Sequence, residues 1–211
     1  MSYEEISEIY GSEEVYSSAC KNLAGLTDIK EHCSKAGAQY DEDSGRITIA
    51  YAYMNRQYLL TLSNCQLSLT DSNGEITAMD KTLIVHYLTL AKGTPLTDRL
   101  ITYKQVPGGA PYFARFSQLV VQPLLSQFGE KPEILIPAAE KLGGKKVNRG
   151  DAAITIKAFS RVPVTIVLQR GDEEFPPTAS VLFDSTIPDY LPSEDIRILC
   201  EIIISKLIKY I

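Results

Sequence analysis

Apolar residues alternate with a period of two in two separate blocks, and this grouping limits the fold more than any other feature of the chain. In the first block Ile47, Ile49, Tyr51 and Tyr53 alternate with smaller residues. After a turn near Asn55 and Arg56 the pattern repeats at Tyr58, Leu60 and Leu62, and again at Cys65, Leu67 and Leu69 before the turn signal Asp71-Ser72-Asn73-Gly74. That spacing predicts an antiparallel meander with one packed face. The second block holds Ile154, Ile156 and Ala158, then Val162, Val164, Ile166 and Leu168, then Ala179, Val181 and Phe183. Its middle member is apolar on both faces around Val167, which predicts a central strand. Strands in blocks, rather than alternating singly with helices, favour an α+β fold.

Helical spacing fills the intervals. Residues 13–36 carry Val15, Ala19, Leu23, Leu26 and Ile29, broken at Gly25, and read as one or two amphipathic helices. Asp80 is positioned to cap an apolar helix, Lys81 to Ala91, stopped by Gly93 and Pro95. Residues 111–128 form another helix that Pro123 bends or splits, and a third runs over 132–142 to Gly143-Gly144. Ser193 caps a terminal helix with Ile196, Leu199, Ile203 and Leu207 on one face. All eleven prolines lie at or beyond residue 95, which makes 93–111 a candidate boundary. Neither half promises a sufficient core alone, however, and 211 residues bury enough surface to need no disulfide or metal staple. The expectation is one α+β domain over 1–211, with an acidic helical segment at 1–43 and a sheet-containing body at 44–211. Its strands are expected in a single, mainly antiparallel sheet of about five to seven, flanked by helices.

Charge is unevenly placed. Residues 1–43 hold ten acids and three bases, a net −7, while 44–211 hold sixteen acids and eighteen bases, a net +2. An acidic balance argues against binding nucleic acid, and the first segment is a candidate docking surface for a protein partner. The start, Met-Ser-Tyr-Glu-Glu, is not that of a secretory signal, and no stretch reaches the ~20 apolar residues that span a bilayer. Cys20, Cys33, Cys65 and Cys200 form no Cys-x-x-Cys pair, so neither a disulfide framework nor a thiolate metal site is expected. Together these features predict a cytoplasmic protein with no membrane contact.

Several stretches, taken in order, resemble a known family. They are Leu83-Ile84-Val85-His86-Tyr87-Leu88, Pro107-Gly108-Gly109 with Tyr112 and Phe113, Phe128-Gly129, Leu142-Gly143-Gly144, Gly150-Asp151-Ala152 and Arg161-Val162-Pro163. The most distinctive is Asp172-Glu173-Glu174-Phe175-Pro176, followed by Leu182-Phe183-Asp184 and Tyr190-Leu191-Pro192. Over residues 15–211 the chain resembles an uncharacterised prokaryotic family catalogued as domain of unknown function 3786. The resemblance implies a setting in anaerobes near redox or corrinoid metabolism, because some relatives are fused to a small four-cysteine iron–sulfur module. This sequence starts without such a module, so no iron–sulfur cluster is expected within the chain.

Candidate chemistry centres on Asp172-Glu173-Glu174. Adjacent carboxylates suit a hard divalent metal or general acid–base work, with Asp184 and Arg161 or Arg170 completing the set. Glu173, Glu174 and Asp184 are the candidate metal ligands, and a solvated acidic loop is the plain alternative. His86 lies at the rim of an apolar helix, fit for an axial ligand or a proton-transfer group, while His32 is placed on the surface. Tyr112, Phe113 and Phe116 around Arg115 could stack on a flat ligand or simply pack as core. Lys141, Lys145, Lys146 and Arg149 surround Gly143-Gly144 without phosphate-loop spacing. Gly-x-Ser-x-Gly, His-Glu-x-x-His and Rossmann patterns do not occur. The expected function is a non-catalytic module that binds a small ligand or cofactor, with a tetrapyrrole or corrinoid implied by the resemblance. Its candidate binding residues are His86, Tyr112, Arg115, Arg161, Glu173, Glu174, Phe175 and Asp184. The rivals are a metal-dependent enzyme using the carboxylates at 172–184 and an accessory protein of a metabolic complex.

Overall fold

Two antiparallel sheets, one of four strands and one of five, organise the described residues, and helices flank both. The computed structural model describes residues 8–44, 46–70 and 75–211, with 48–53 described by their backbone alone. The turn expected at 71–74 lies outside them. The chain divides into two compact units: residues 1–95 with 159–161 and 189–191, and residues 96–158 with 162–188 and 192–211. The division at Pro95 falls inside the stretch 93–111 where the prolines begin.

The first unit contains α1 (Glu13–Ala24) and α2 (Ile29–Ala36). Ser12 Oγ accepts from Val15 N at 3.3 Å and Asp28 Oδ1 from Glu31 N at 2.9 Å, so each helix starts on a side-chain cap. The sheet follows in the order β1 (Gln39–Asp41), β2 (Arg46–Tyr53), β3 (Arg56–Thr61), β4 (Gln66–Leu69). Met54 and Asn55, with φ of 51° and 61°, form the β2–β3 turn, one residue earlier than the pattern placed it. Two consecutive left-handed residues match the twist of a tight hairpin. Helix α3 (Ala78–Leu90) starts before the expected Lys81, because Thr77 rather than Asp80 is its cap and accepts from Asp80 N at 3.1 Å. Its Leu83, Ile84, Tyr87 and Leu88 are fully buried. Tyr87 stacks on Phe159 at 4.1 Å and donates to Ala36 O at 2.8 Å, and burial pushes its phenol pKa up.

The second unit contains β5 (Leu100–Thr102) and a helical run from α4 (Phe113–Phe116) through a π-helical turn, Ser117–Val121, to α5 (Gln122–Phe128). The α-helix is split as Pro123 suggested, by the π-helical turn that directly precedes the proline's own segment. Proline clashes with the carbonyl four residues back, and the widened turn directly before α5 removes that conflict. Helix α6 (Leu135–Glu140) leads through a turn to Gly143-Gly144, where a Cβ on Gly144 would lie 2.8 Å from Ala139 O. Then come β6 (Lys145–Lys146), β7 (Ala152–Phe159), β8 (Val162–Gln169) and β9 (Thr178–Asp184), before α7 (Ser193–Ile208). The sheet order is β5-β9-β8-β7-β6, which puts β8 in the centre as the apolar run around Val167 required. Strands expected in one sheet therefore occupy two. Period-two alternation marks which face is buried but not which strand is the neighbour. Helix α7 is also buried on nearly every side, not on one face, and carries Arg197 and Glu201 inside.

Candidate functional site: a polar cleft beside a disulfide

Glu13, Tyr16 and Cys20 stand at positions i, i+3 and i+7 of α1 and so share one face of the helix. Opposite them is the turn from β3 to β4. Asn64 Oδ1 accepts from Gln66 N at 3.1 Å there, and Cys65 holds a φ of 51°. Tyr16 donates its hydroxyl proton to Cys65 O at 2.6 Å, and Cys20 forms a disulfide with Cys65 across a Cα–Cα distance of 5.9 Å. This overturns the expectation that the cysteines would not pair. Their 45-residue separation gave no local signal, and only the packing of α1 on the sheet brings them together.

A cleft of about 440 Å³ opens at this junction. Glu13, Tyr16, Asn64, Gln66 and Lys81 give it polar walls, and Gly11, Cys65, Leu67 and Ala78 complete the lining. Burial raises the Tyr16 pKa, and the Glu13 charge adds to that, so the phenol remains a donor. A carboxylate, an ammonium, a phenol and two amides around one opening can hold a small polar molecule. They include no nucleophile paired with a base. The size is that of a small-molecule site.

The residues singled out in the sequence are divided between the two units. His86 and Arg161 belong to the first unit, and Tyr112, Arg115, Glu173, Glu174, Phe175 and Asp184 to the second. His86 Nδ1 is hydrogen-bonded to the Tyr10 hydroxyl at 3.3 Å, with the rings edge to face, and His86 is not part of the cleft lining. Arg161 N donates to the Tyr87 hydroxyl at 3.3 Å. His32 is half-buried, not on the surface, and its Nδ1 is enclosed without a partner.

The proposed metal set is divided by a strand. Glu173 and Glu174 are exposed in the loop before β9, whereas Asp184 is buried at the other end of that strand, which spans ~20 Å at the rise of a strand. Asp172 shapes the loop by accepting from Glu174 N and Phe175 N, bonds that lower its pKa. Arg170 pairs with Glu133 at 2.8 Å instead. Asp184 accepts from Thr97 N and Oγ1, Asp98 N, and Thr186 N and Oγ1. That leaves its oxygens engaged. Among the described residues no group of three His, Cys, Asp or Glu side chains is placed to hold a metal ion.

The aromatic cluster is also dispersed. Phe116 is core, stacked on Tyr103 at 4.1 Å, Lys104 sits over Phe113, and Tyr112 is 62% exposed. Arg115 is half-buried, and its charge acts on Glu201 of α7. There Arg197 donates to Glu201 Oε1 and reaches Glu194 at 3.5 Å, while Glu201 Oε2 is buried without a partner. Burial pushes the Glu201 carboxyl up, against the pull of both arginines. Opposite charges four residues apart in the apolar middle of the helix were the available signal for this pair.

Fold and site together define an α+β protein of two antiparallel sheets with a small polar cleft beside a disulfide. The chain belongs to the family described as Domain of unknown function (DUF3786), whose model matches residues 28–206. The Pro107-Gly108-Gly109 turn of the resemblance is structural: a Cβ on Gly109 would lie 2.0 Å from Tyr103 O. Glu13, Tyr16 and Cys20 precede the matched stretch, so one wall of the cleft is outside it. No curated protein and no solved structure matches the chain. No helix among the described residues is long and apolar enough to cross a membrane.

Proposed function

We propose that this protein is a non-catalytic module that binds a small polar molecule bearing an anionic group. The observation that carries this is the cleft between α1, the β3–β4 turn and the start of α3, where Lys81 supplies the cation and Tyr16, Asn64 and Gln66 supply neutral polar partners. Glu13 on the same wall favours a ligand that also has a cationic or donor group. A flat tetrapyrrole is less well served, because the walls are polar and His86 is bonded to Tyr10.

The test is a thermal-shift screen of the full chain against amino acids, small carboxylates and phosphates, haem and cobalamin, followed by calorimetry on any hit. A ligand present at a hundred times its Kd stabilises by about 2.7 kcal/mol, a readily measured shift. A small polar hit whose binding is lost in Lys81→Ala and retained in Glu173→Ala supports the reading. A visible band with haem or cobalamin that disappears in His86→Ala replaces it with the tetrapyrrole reading. Hits unaffected by Lys81→Ala remove the cleft as the site.

A further inference from the structure

We propose that the Cys20–Cys65 disulfide is a thiol–disulfide exchange site whose substrate is a dithiol. Both cysteines are half-buried rather than enclosed, and Cys65 lines the open cleft, which gives an incoming thiolate an approach to the disulfide. Lys81 on the same cleft favours the approach of that anion, with Glu13 opposing it. Cys65 also holds a left-handed φ of 51°, a conformation that a non-glycine residue adopts at a cost. Exposed disulfides in strained turns are the exchangeable kind, whereas buried ones are inert.

Reversal is provided for as well. The hydrogen bond from Tyr16 to Cys65 O ties the turn to α1 independently of the sulfurs, so the two thiols stay within reach of each other after reduction. Cys33 and Cys200 stand apart from this chemistry. Both are buried, and burial pushes the Cys33 thiol up to about 11 and the Cys200 thiol well above its ordinary value.

The exchange has two steps. A thiolate of the dithiol attacks the Cys65 sulfur, the Cys65–Cys20 bond breaks, and Cys20 leaves as a thiolate that takes a proton from solvent. The second thiolate of the dithiol then attacks its own sulfur in the mixed disulfide and releases Cys65, which is protonated in turn. The dithiol ends as a disulfide, and two electrons have passed to the protein. A disulfide oxidant drives the reverse. None of this requires a ligand in the cleft, so it stands or falls apart from the binding function proposed above.

The experiment treats the full-length, air-oxidised chain with dithiothreitol in native buffer, quenches with a maleimide and counts labels by intact mass. The expected result is a rise from zero to two labels per chain, mapped to Cys20 and Cys65, and return to zero with oxidised dithiothreitol. Cys33 and Cys200 label only after denaturant. In a fixed dithiol/disulfide buffer, Tyr16→Phe lowers the oxidised-to-reduced ratio by at most about fivefold, the worth of one hydrogen bond, because the loosened turn holds the reduced thiols apart. Cys20→Ser, with an unchanged circular dichroism spectrum, frees Cys65 to label without reductant. Two labels before any reductant overturn the proposal, as does reduction that requires denaturant or equal labelling of all four cysteines.

Discussion

A carboxylate buried to 3% exposure is stable as an anion only when donors surround it, and Asp184 has five of them. Burial alone would raise its pKa, but the bonds from Thr186 and Thr97 outweigh that and hold it below the ordinary carboxylate value. Its folded-state pKa is thus lower than its unfolded one, so its contribution is complete above the unfolded value of about 3.9 and is lost as pH falls through the folded one. Asp184→Asn turns one acceptor into a donor that faces donors, and should cost about 3 kcal/mol at neutral pH in denaturant unfolding. The gap between variant and wild type should narrow as pH falls below about 4 and close only below the lowered folded-state pKa, where the wild-type carboxyl is protonated. Glu173→Ala and Glu174→Ala, on exposed side chains, should stay within about 0.5 kcal/mol of wild type. A gap for Asp184→Asn that persists into acid would contradict the assignment. The sequence marked Asp184 correctly as a charge at the end of an apolar strand. Three of its five donors were not legible, since they are backbone and hydroxyl groups of Thr97 and Asp98, some 87 positions away, whereas Thr186 is two residues along the chain.

Among the elements, α7 shows most clearly what periodicity leaves out. The expected face of Ile196, Leu199, Ile203 and Leu207 is buried as predicted, yet Ile198, Ile202 and Ile204 are buried too. A helix enclosed on most sides must neutralise its charges internally, and Arg197 and Glu201 do so one turn apart. Arg197→Met strands the Glu201 carboxyl and should cost about 3–5 kcal/mol in urea unfolding, while adding Glu201→Leu should recover most of that. Burial already holds the Glu201 carboxyl above its ordinary value, and losing Arg197 raises it further. The folded variant then keeps a proton that the unfolded chain releases, so its stability should fall as pH rises through that interval. A double variant no better than the single one would show that α7 is held by something other than this pair. Long periodic helices were the most legible elements; short strands were the least. β1, β5 and β6 have two or three residues each, too few for alternation to register, and exist because a longer neighbour offers an edge.

At the scale of the whole molecule, the grouping of strands gave the α+β class, while their division between two sheets depended on contacts that alternation does not encode. The cleft was hidden for the same reason, because Tyr16, Cys65 and Lys81 come from three elements with no motif in common. The disulfide is where that long-range information has the largest thermodynamic consequence. It closes a loop over a sequence separation of 45, and the chain-entropy relation gives such a crosslink a stabilisation of about 4 kcal/mol, mainly by restricting the unfolded chain. Because Tyr16 already ties α1 to the turn, native contacts should survive reduction, and the loss should appear in the unfolding midpoint rather than in the folded spectrum. The chain has twelve tyrosines and no tryptophan, so tyrosine emission reports the transition. Urea unfolding with dithiothreitol should shift the midpoint downward by an amount corresponding to no more than about 4 kcal/mol. The Cys20→Ser/Cys65→Ser variant should unfold at the reduced midpoint and ignore the reductant. If dithiothreitol shifts that double variant equally, the effect lies elsewhere; if it shifts neither protein, the two cysteines are not joined.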